Sequence, residues 1–276
     1  MTETLVKEYY TGQVRKEWRR LVRDAYHRLE FMTTLHFLEK YLPPQGLILD
    51  AGGGPGRYTL ELARRGYQVV LLDMTPANLE FARRQLKRTK LSARVSSLVE
   101  GSIVDLSQFT DGTFDAVICL GGPLSHVLDA GKRDRAISEL IRVAKSGAPV
   151  FVSVIGLLSL LIVELTMFQD ELEMPHFTQI RDTGDYEGTR GFTACHFFLP
   201  EELQNSFHGK GVTLLEMAGL EGISSHHRKQ LNLLAKNEPR WKTWLETHFL
   251  TCTHPSVVGI SEHMLIVCRK DNASSE

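Results

Sequence analysis

Between residues 47 and 63 the chain reads LILDAGGGPGRYTLELA, and its glycines and acid are spaced as Asp50-x-Gly52-x-Gly54-x-Gly56, with Gly53 between. A second acid, Asp73, ends the next apolar run. Glycines at this density let backbone pass close to a ligand without a Cβ in the way. A dinucleotide's pyrophosphate would require Gly-x-Gly-x-x-Gly. Counted from Gly52, the third glycine position holds Arg57; counted from Gly53, the second holds Pro55. Pro55 also lacks the N–H that a phosphate would want, and Asp50 would repel one. No Gly-Lys-Ser/Thr follows, so the P-loop is excluded as well. The ligand expected here is not led by phosphate, and a carboxylate beside the loop suits an ammonium group.

The elements that must hold these residues follow from hydrophobic period. Apolar runs at 47–51, 68–73, 93–100, 114–120 and 149–155 read as strands. Amphipathic stretches at 57–65, 76–90 and 133–145 read as the helices between them. Alternation of this kind implies an α/β fold: a doubly wound, mostly parallel seven-stranded sheet covered on both faces, with its crevice at the strand C-terminal ends. The closing strands are placed at 211–220 and 263–270, and a further strand at Phe192–Phe198 enters a helix at Pro200. Residues 1–45 are expected to form a helical cap: Trp18, Leu21, Val22, Ala25 and Leu29 recur at helical spacing, and a second helix over 31–41 stops at Pro43 and Pro44. The domain proper would cover 46–276, with insertions at about 156–198 and 222–260. The last six residues are expected to fray.

DAGGGPGRYTLELA, VVLLD, VEGSIVDL and FDAVICLGGPLSHV together resemble the class I S-adenosylmethionine-dependent methyltransferases, in particular a small-molecule branch of type 11/12 character. The resemblance is strongest over 46–155, and it implies a Rossmann-like methyltransferase fold with S-adenosylmethionine as cofactor. It implies that Gly52, Gly53, Gly54 and Gly56 pass the methionine and ribose portion, with Asp50 near the amino group. Asp73 is similar to the acid that accepts both ribose hydroxyls, and Met74 would pack on adenine. Where Ser102 stands the family commonly has an acid, which would weaken the grip on adenine's amino group; Ile103 offers a backbone N–H. Leu120 and Gly121 would border the transferable methyl. Asp105 reads as a turn acid.

GGPLSHV, residues 121–127, would face the methyl. It is not the Asn/Asp-Pro-Pro-Tyr/Phe of methyltransferases acting on DNA bases. His126 is the candidate base or substrate contact, with capping or core packing as the alternative. Tyr9, Tyr10 and Arg28 lie in the segment expected to fold over the cofactor, and Tyr10 and Arg28 are its candidate ligand contacts. Cys195 and His196 are unassigned, and Cys119 reads as a buried strand residue.

Composition narrows the partners. The 276 residues are 42% hydrophobic and 24% charged, with a formal net charge of −1. That gives no global pull toward nucleic acid or anionic lipid, and the basic clusters at 15–28 and 83–94 read as solvated helix faces. Four scattered cysteines form no CxxC pair, which fits reduced thiols. No histidine spacing matches a metal motif, so no metal is expected. Residues 1–10 lack the apolar core of a secretory signal. The uncharged run 146–163 reads as a strand broken from a helix at Gly156 rather than a membrane span. A cytoplasmic monomer or homodimer acting on a small-molecule acceptor is the leading expectation. The alternatives are an RNA or protein methyltransferase docking through 83–94, or a non-catalytic cofactor-binding protein.

Overall fold

The computed structural model describes residues 2–272. Two helices, α1 (Thr2–Arg20) and α2 (Ala25–Tyr41), precede β1 (Leu47–Ala51), α3 (Arg57–Arg64), β2 (Gln68–Asp73), α4 (Pro76–Thr89), β3 (Val95–Glu100) and β4 (Ala116–Cys119). Then come α5 (Ala130–Val143), β5 (Pro149–Ile155), α6 (Leu157–Met167), α7 (Pro175–Thr183), β6 (Asp185–Tyr186), β7 (Cys195–His196) and α8 (Pro200–Asn205). The chain closes with β8 (Val212–Gly219), α9 (Arg228–Leu234), α10 (Glu238–Thr251), α11 (Pro255–Val258) and β9 (His263–Lys270).

Seven strands form one sheet in the order β3-β2-β1-β4-β5-β9-β8. All run parallel except β9, which is antiparallel to both β5 and β8. The chain winds outward from β1 on one side and resumes at β4 on the other, and a crevice opens over the ends of those two strands. Alternate residues serve opposite faces. Leu49, Val70, Val117 and Val152 meet Ile137 and Leu140 of α5, while Ile48, Val69, Ile118 and Phe151 meet Phe37 and Leu38 of α2 and Leu62 of α3. Each such fully buried side chain contributes about 1.5–3 kcal/mol.

The run 146–163 divides as the sequence suggested: Pro149–Ile155 is an interior strand, and Gly156 precedes α6. Among the described residues no helix is long and apolar enough to cross a membrane.

Local chemistry moved several boundaries. The third strand begins at Val95 because Ser92–Arg94 makes a 3-10 turn. Helix α5 starts at Ala130, earlier than expected, since the Asp129 side chain accepts the Lys132 N–H and caps it. The single apolar stripe expected from Trp18 to Leu29 is broken: the chain turns at 21–24, and Asp24 caps α2 by accepting the His27 N–H. The expected strand around Phe192–Phe198 is only β7, which pairs with β6 in a separate two-stranded sheet.

Gly56 sits at φ +81°, and a Cβ there would lie 3.2 Å from Ala82 and 3.3 Å from Leu71; Gly66, at φ +96°, has open space around it. Gly66→Ala therefore meets only the left-handed backbone penalty, about 1–2 kcal/mol. Gly56→Ala adds overpacking and is expected to lower the urea-unfolding free energy by about 1 kcal/mol more than Gly66→Ala.

Candidate functional site

The glycine loop is tied down by its own amides. Gly52 and Gly53 N–H both donate to the Leu72 carbonyl, at 2.7 and 3.2 Å, and Gly56 N–H donates to Gly53 O at 3.0 Å. Gly54 N–H donates to Asp73 Oδ2 at 2.8 Å. With Pro55 lacking a donor, few loop amides are left to bind a phosphate.

The glycines serve different ends. A Cβ on Gly52 would strike Pro123 at 2.6 Å, and one on Gly53 would strike the Asp50 carboxyl at 2.5 Å. Gly54 alone faces open space, its nearest neighbour being Asn78 Nδ2 at 3.9 Å. A cavity of about 240 Å³ begins there, lined by Gly52, Gly53, Gly54, Asp73 and Met74 on one side. Ser102, Ile103, Leu120, Gly121, His126 and Tyr10 also line it.

Asp73 accepts three protein hydrogen bonds: Gly54 N–H on Oδ2, and Thr75 N–H (2.9 Å) and the Asn78 amide (3.1 Å) on Oδ1. A carboxylate has about four acceptor positions, so one remains for a ligand. Burial raises its pKa against these bonds. Asn78 Oδ1 is buried without a partner and also lines the cavity, as does Tyr58, whose hydroxyl is likewise unpaired. Space at Gly54, an acceptor on Asp73 and these unmet polar atoms fit a nucleoside with hydroxyls to bond.

Three expected contacts lie elsewhere. Asp50 does not line the cavity; it shares the β1 face of Ile48, is fully buried beneath Gly53, and accepts the Thr59 hydroxyl on Oδ2 at 2.5 Å. Its Oδ1 has no partner. Burial, reinforced by the charge of Asp73, pushes its pKa up to about 7. Gly56 also does not line the cavity: its missing side chain admits Ala82 and Leu71. Arg28 is exposed on α2 and does not line the cavity; Arg20, Arg57 and Lys132 do. Of the residues left unassigned, His196 is buried between Asp185 (2.6 Å) and Glu202 (2.7 Å), lining neither cavity.

Helix α1 lies across the crevice. Lys7 pairs with Glu100 at 2.8 Å on the β3 side, and Glu3 with Lys132 at 3.7 Å on the α5 side. Arg57 stacks on Trp18, 3.7 Å from the ring centroid, and donates to the Trp18 carbonyl. Tyr10 is thereby lowered onto His126. His126 Nδ1 is 2.9 Å from Ala194 O, an atom that can only accept, so Nδ1 carries the proton. Nε2 then accepts the Tyr10 hydroxyl at 2.7 Å. Burial lowers the His126 pKa and raises that of Tyr10, so both are neutral.

Tyr10, Glu17, Arg20 and Gly121 line a second chamber too, of about 930 Å³. Its floor is a charge network. Arg20 donates to both Glu30 oxygens (2.5 and 3.0 Å), and His263 Nδ1 to Glu221 at 2.7 Å. Burial lowers the His263 pKa, but Glu30 and Glu221 outweigh it and bring it to about 9, so the imidazole is charged at neutral pH. Ligand atoms of Glu30, Glu221 and His263 lie within 4.8 Å of one another, close enough for a metal; the guanidinium and imidazolium already supply the cations.

Residues 48–147 match the family described as a methyltransferase domain. A ubiquinone biosynthesis O-methyltransferase of Xanthomonas axonopodis pv. citri is 34% identical over 123 residues, 44% of this chain and 48% of that protein. The match thus spans about half the length of the curated relative. A SAM-dependent methyltransferase of Methanosarcina mazei superposes with a TM-score of 0.61 at 20% identity, over 86% of this chain and 98% of that one. The Burkholderia thailandensis 1,6-didemethyltoxoflavin-N1-methyltransferase, with its substrate and S-adenosylhomocysteine bound, gives 0.57 at 14% identity over 98% and 89%. These solved structures share the Rossmann-like fold.

A carboxyl group whose pKa is raised by folding stabilises the fold where it is protonated and loses that contribution as pH rises through the folded value. Asp50 therefore costs stability progressively from about pH 4 to about pH 7. Thermal melts should show Asp50→Asn gaining on the wild type across that interval, by on the order of a few kcal/mol. A gap that does not change with pH would contradict it.

Proposed function

We propose that the chain, whose residues 48–147 match a methyltransferase-domain family, is a class I S-adenosylmethionine-dependent enzyme that moves a methyl group from S-adenosylmethionine to a small-molecule acceptor held in the second chamber. The observation that carries this reading is the junction at Tyr10, Glu17, Arg20 and Gly121, where a nucleoside-sized cavity meets a larger one. When bound, the cofactor supplies an electrophilic methyl on a positively charged sulfur.

On this reading the remaining acceptor position of Asp73 and the free Asn78 oxygen receive the ribose. Met74, Ser102 and Ile103 border the base, and Gly53 and Gly54 border the methionine portion. Asp50 acts through the loop, by supporting Gly53 from beneath. Helix α1 covers both chambers and excludes water from them, which strengthens electrostatic interactions inside.

The reaction is an in-line displacement, so the protein's main work is to align and desolvate the acceptor. An acceptor hydroxyl must also lose its proton. Tyr10, which faces both chambers, takes that proton on its oxygen while passing its own to His126 Nε2. His126 then carries the positive charge that the sulfur gives up. Support for a small acceptor also comes from proteins it is similar to, named for ubiquinone biosynthesis and for 1,6-didemethyltoxoflavin. Within the basic stretch 83–94, Arg83 and Arg84 share Glu80, and Arg94 donates to the Gly66 carbonyl.

Calorimetry with S-adenosylhomocysteine and NAD tests the cofactor. The homocysteine nucleoside should bind, and Gly54→Val, whose side chain enters the cavity, should abolish binding with circular dichroism unchanged. Tight NAD binding in its place would overturn the reading. Labelled methyl should pass to a small-molecule fraction and not to RNA or protein. The relay needs neutral His126, whose pKa lies below the ordinary 6.5; the transfer rate should hold through pH 6.5 and fall only at more acid pH. A fall centred above 6.5 would remove His126 from the relay.

A further inference from the structure

We propose that the second chamber selects an anionic acceptor, an aromatic hydroxy compound carrying a carboxylate or phosphate group. This rests on the reading of that chamber as the acceptor site. Cations without a carboxylate partner among the described residues stand at the chamber's mouth. The carboxylates that face the chamber each have a partner, although only two of the partners are cations: Glu17 and Glu30 share Arg20, Glu221 has His263 and the Ser261 hydroxyl, and Glu262 has the Tyr26 hydroxyl. Three of the cations at its mouth have no such partner.

Arg15, Lys16, Arg19 and Arg23 stand along the chamber's mouth. Among the described residues no carboxylate lies within 4.0 Å of the first three, and Arg23 has Asp24 at 3.8 Å and a hydrogen bond to the His27 ring. Arg15 and Arg19 are four residues apart on α1 and so share one side of it, while Arg23 lies in the turn that follows. Deeper in, His263 is charged, and its Nε2 makes no hydrogen bond to a described residue while Nδ1 is held by Glu221. It is left to donate toward the chamber. The basic stretch at 15–28, which reads from sequence as a solvated helix face, is therefore in part the rim of a cavity.

The walls give the shape. Tyr9 meets Phe192 edge to face, with ring centroids 5.7 Å apart, and Tyr10 at 5.2 Å. Tyr26 and Ile155 face the same space. A flat ring between these side chains would put its charged substituent at the rim arginines and its hydroxyl at Tyr10 and Gly121, where the two chambers meet. Guanidinium groups suit both carboxylate and phosphate, which present paired oxygens. A large RNA would meet the same cations only from outside, without using the aromatic walls.

The test is calorimetry on the full chain saturated with S-adenosylhomocysteine. The probes are 3,4-dihydroxybenzoate, 4-hydroxyphenyl phosphate, uncharged catechol and cationic dopamine. At low salt one or both anions should bind about tenfold or more tighter than catechol, and whichever is tighter identifies the anionic group. The advantage should shrink in high salt, because the rim is solvent-facing. It should be lost in the double variant Arg19→Gln/Arg23→Gln, with the affinity for S-adenosylhomocysteine unchanged. Equal binding of catechol, tighter binding of dopamine, or no binding of either anion at millimolar concentration would overturn the proposal. So would salt-sensitive binding of an RNA oligonucleotide in place of the small probes. If S-adenosylhomocysteine itself fails to bind, the methyl-transfer reading falls first; if it binds and no anion preference appears, only the present inference falls.

Discussion

The site depends on the end of β2. The Leu72 carbonyl takes two loop amides and the Asp73 carboxylate takes a third, so one short stretch of strand fixes the curvature of the whole glycine loop. Hydrogen bonds to an ionised acceptor are about twice as strong as neutral ones, and they hold Gly54 so that its empty side faces the cavity. The same carboxylate is anchored through Thr75 and Asn78 to the start of α4. Loop, strand and helix therefore move as one piece, and the ligand meets a surface already formed.

A second set of charges organises the opposite wall. Arg20, Glu30, His263 and Glu221 come from the end of α1, from α2, from β9 and from the segment after β8. Two partly buried cations and two buried carboxylates offset one another locally, which is the condition for holding charge out of water. Removing one partner would leave another unmatched, and the N-terminal helices would lose their register on the sheet. The network thus couples the position of α1 to the far edge of the fold. The aromatic wall and the rim cations carried by α1 take their places from it.

Much of the sheet was legible because central parallel strands are almost uniformly apolar; β1, β2, β5 and β9 coincide with their sequence patterns to the residue. The glycine spacing likewise marked the crevice. What failed was direction and long-range company. Asp50 has the right type beside the right loop, but strand alternation points it under α3. Arg28 and Arg20 look alike in a basic helical stretch; only the turn at 21–24, driven by the cap at Asp24 and the Arg20–Glu30 pair, decides which of them faces inward. Asn78 was missed although it follows Asp73 closely in the first turn of α4, a signal that was available. Glu30, Glu221 and His263 are separated by most of the chain, and no local pattern joins them.

Helix α1 is fastened unevenly. Toward its C-terminus it has the stacked Arg57–Trp18 contact and the Arg20–Glu30 pair, whereas its first half is held by buried Val6, the Tyr10–His126 hydrogen bond and exposed ion pairs worth about 0–1 kcal/mol each. Lifting that half would free a path into the nucleoside cavity, and it would also carry Tyr10 away from His126 and out of the chamber beside it. Entry of one molecule by that path and integrity of the neighbouring compartment would thus exclude each other. A spent nucleoside that leaves by this door takes the proton relay apart as it goes, and its replacement must rebuild it.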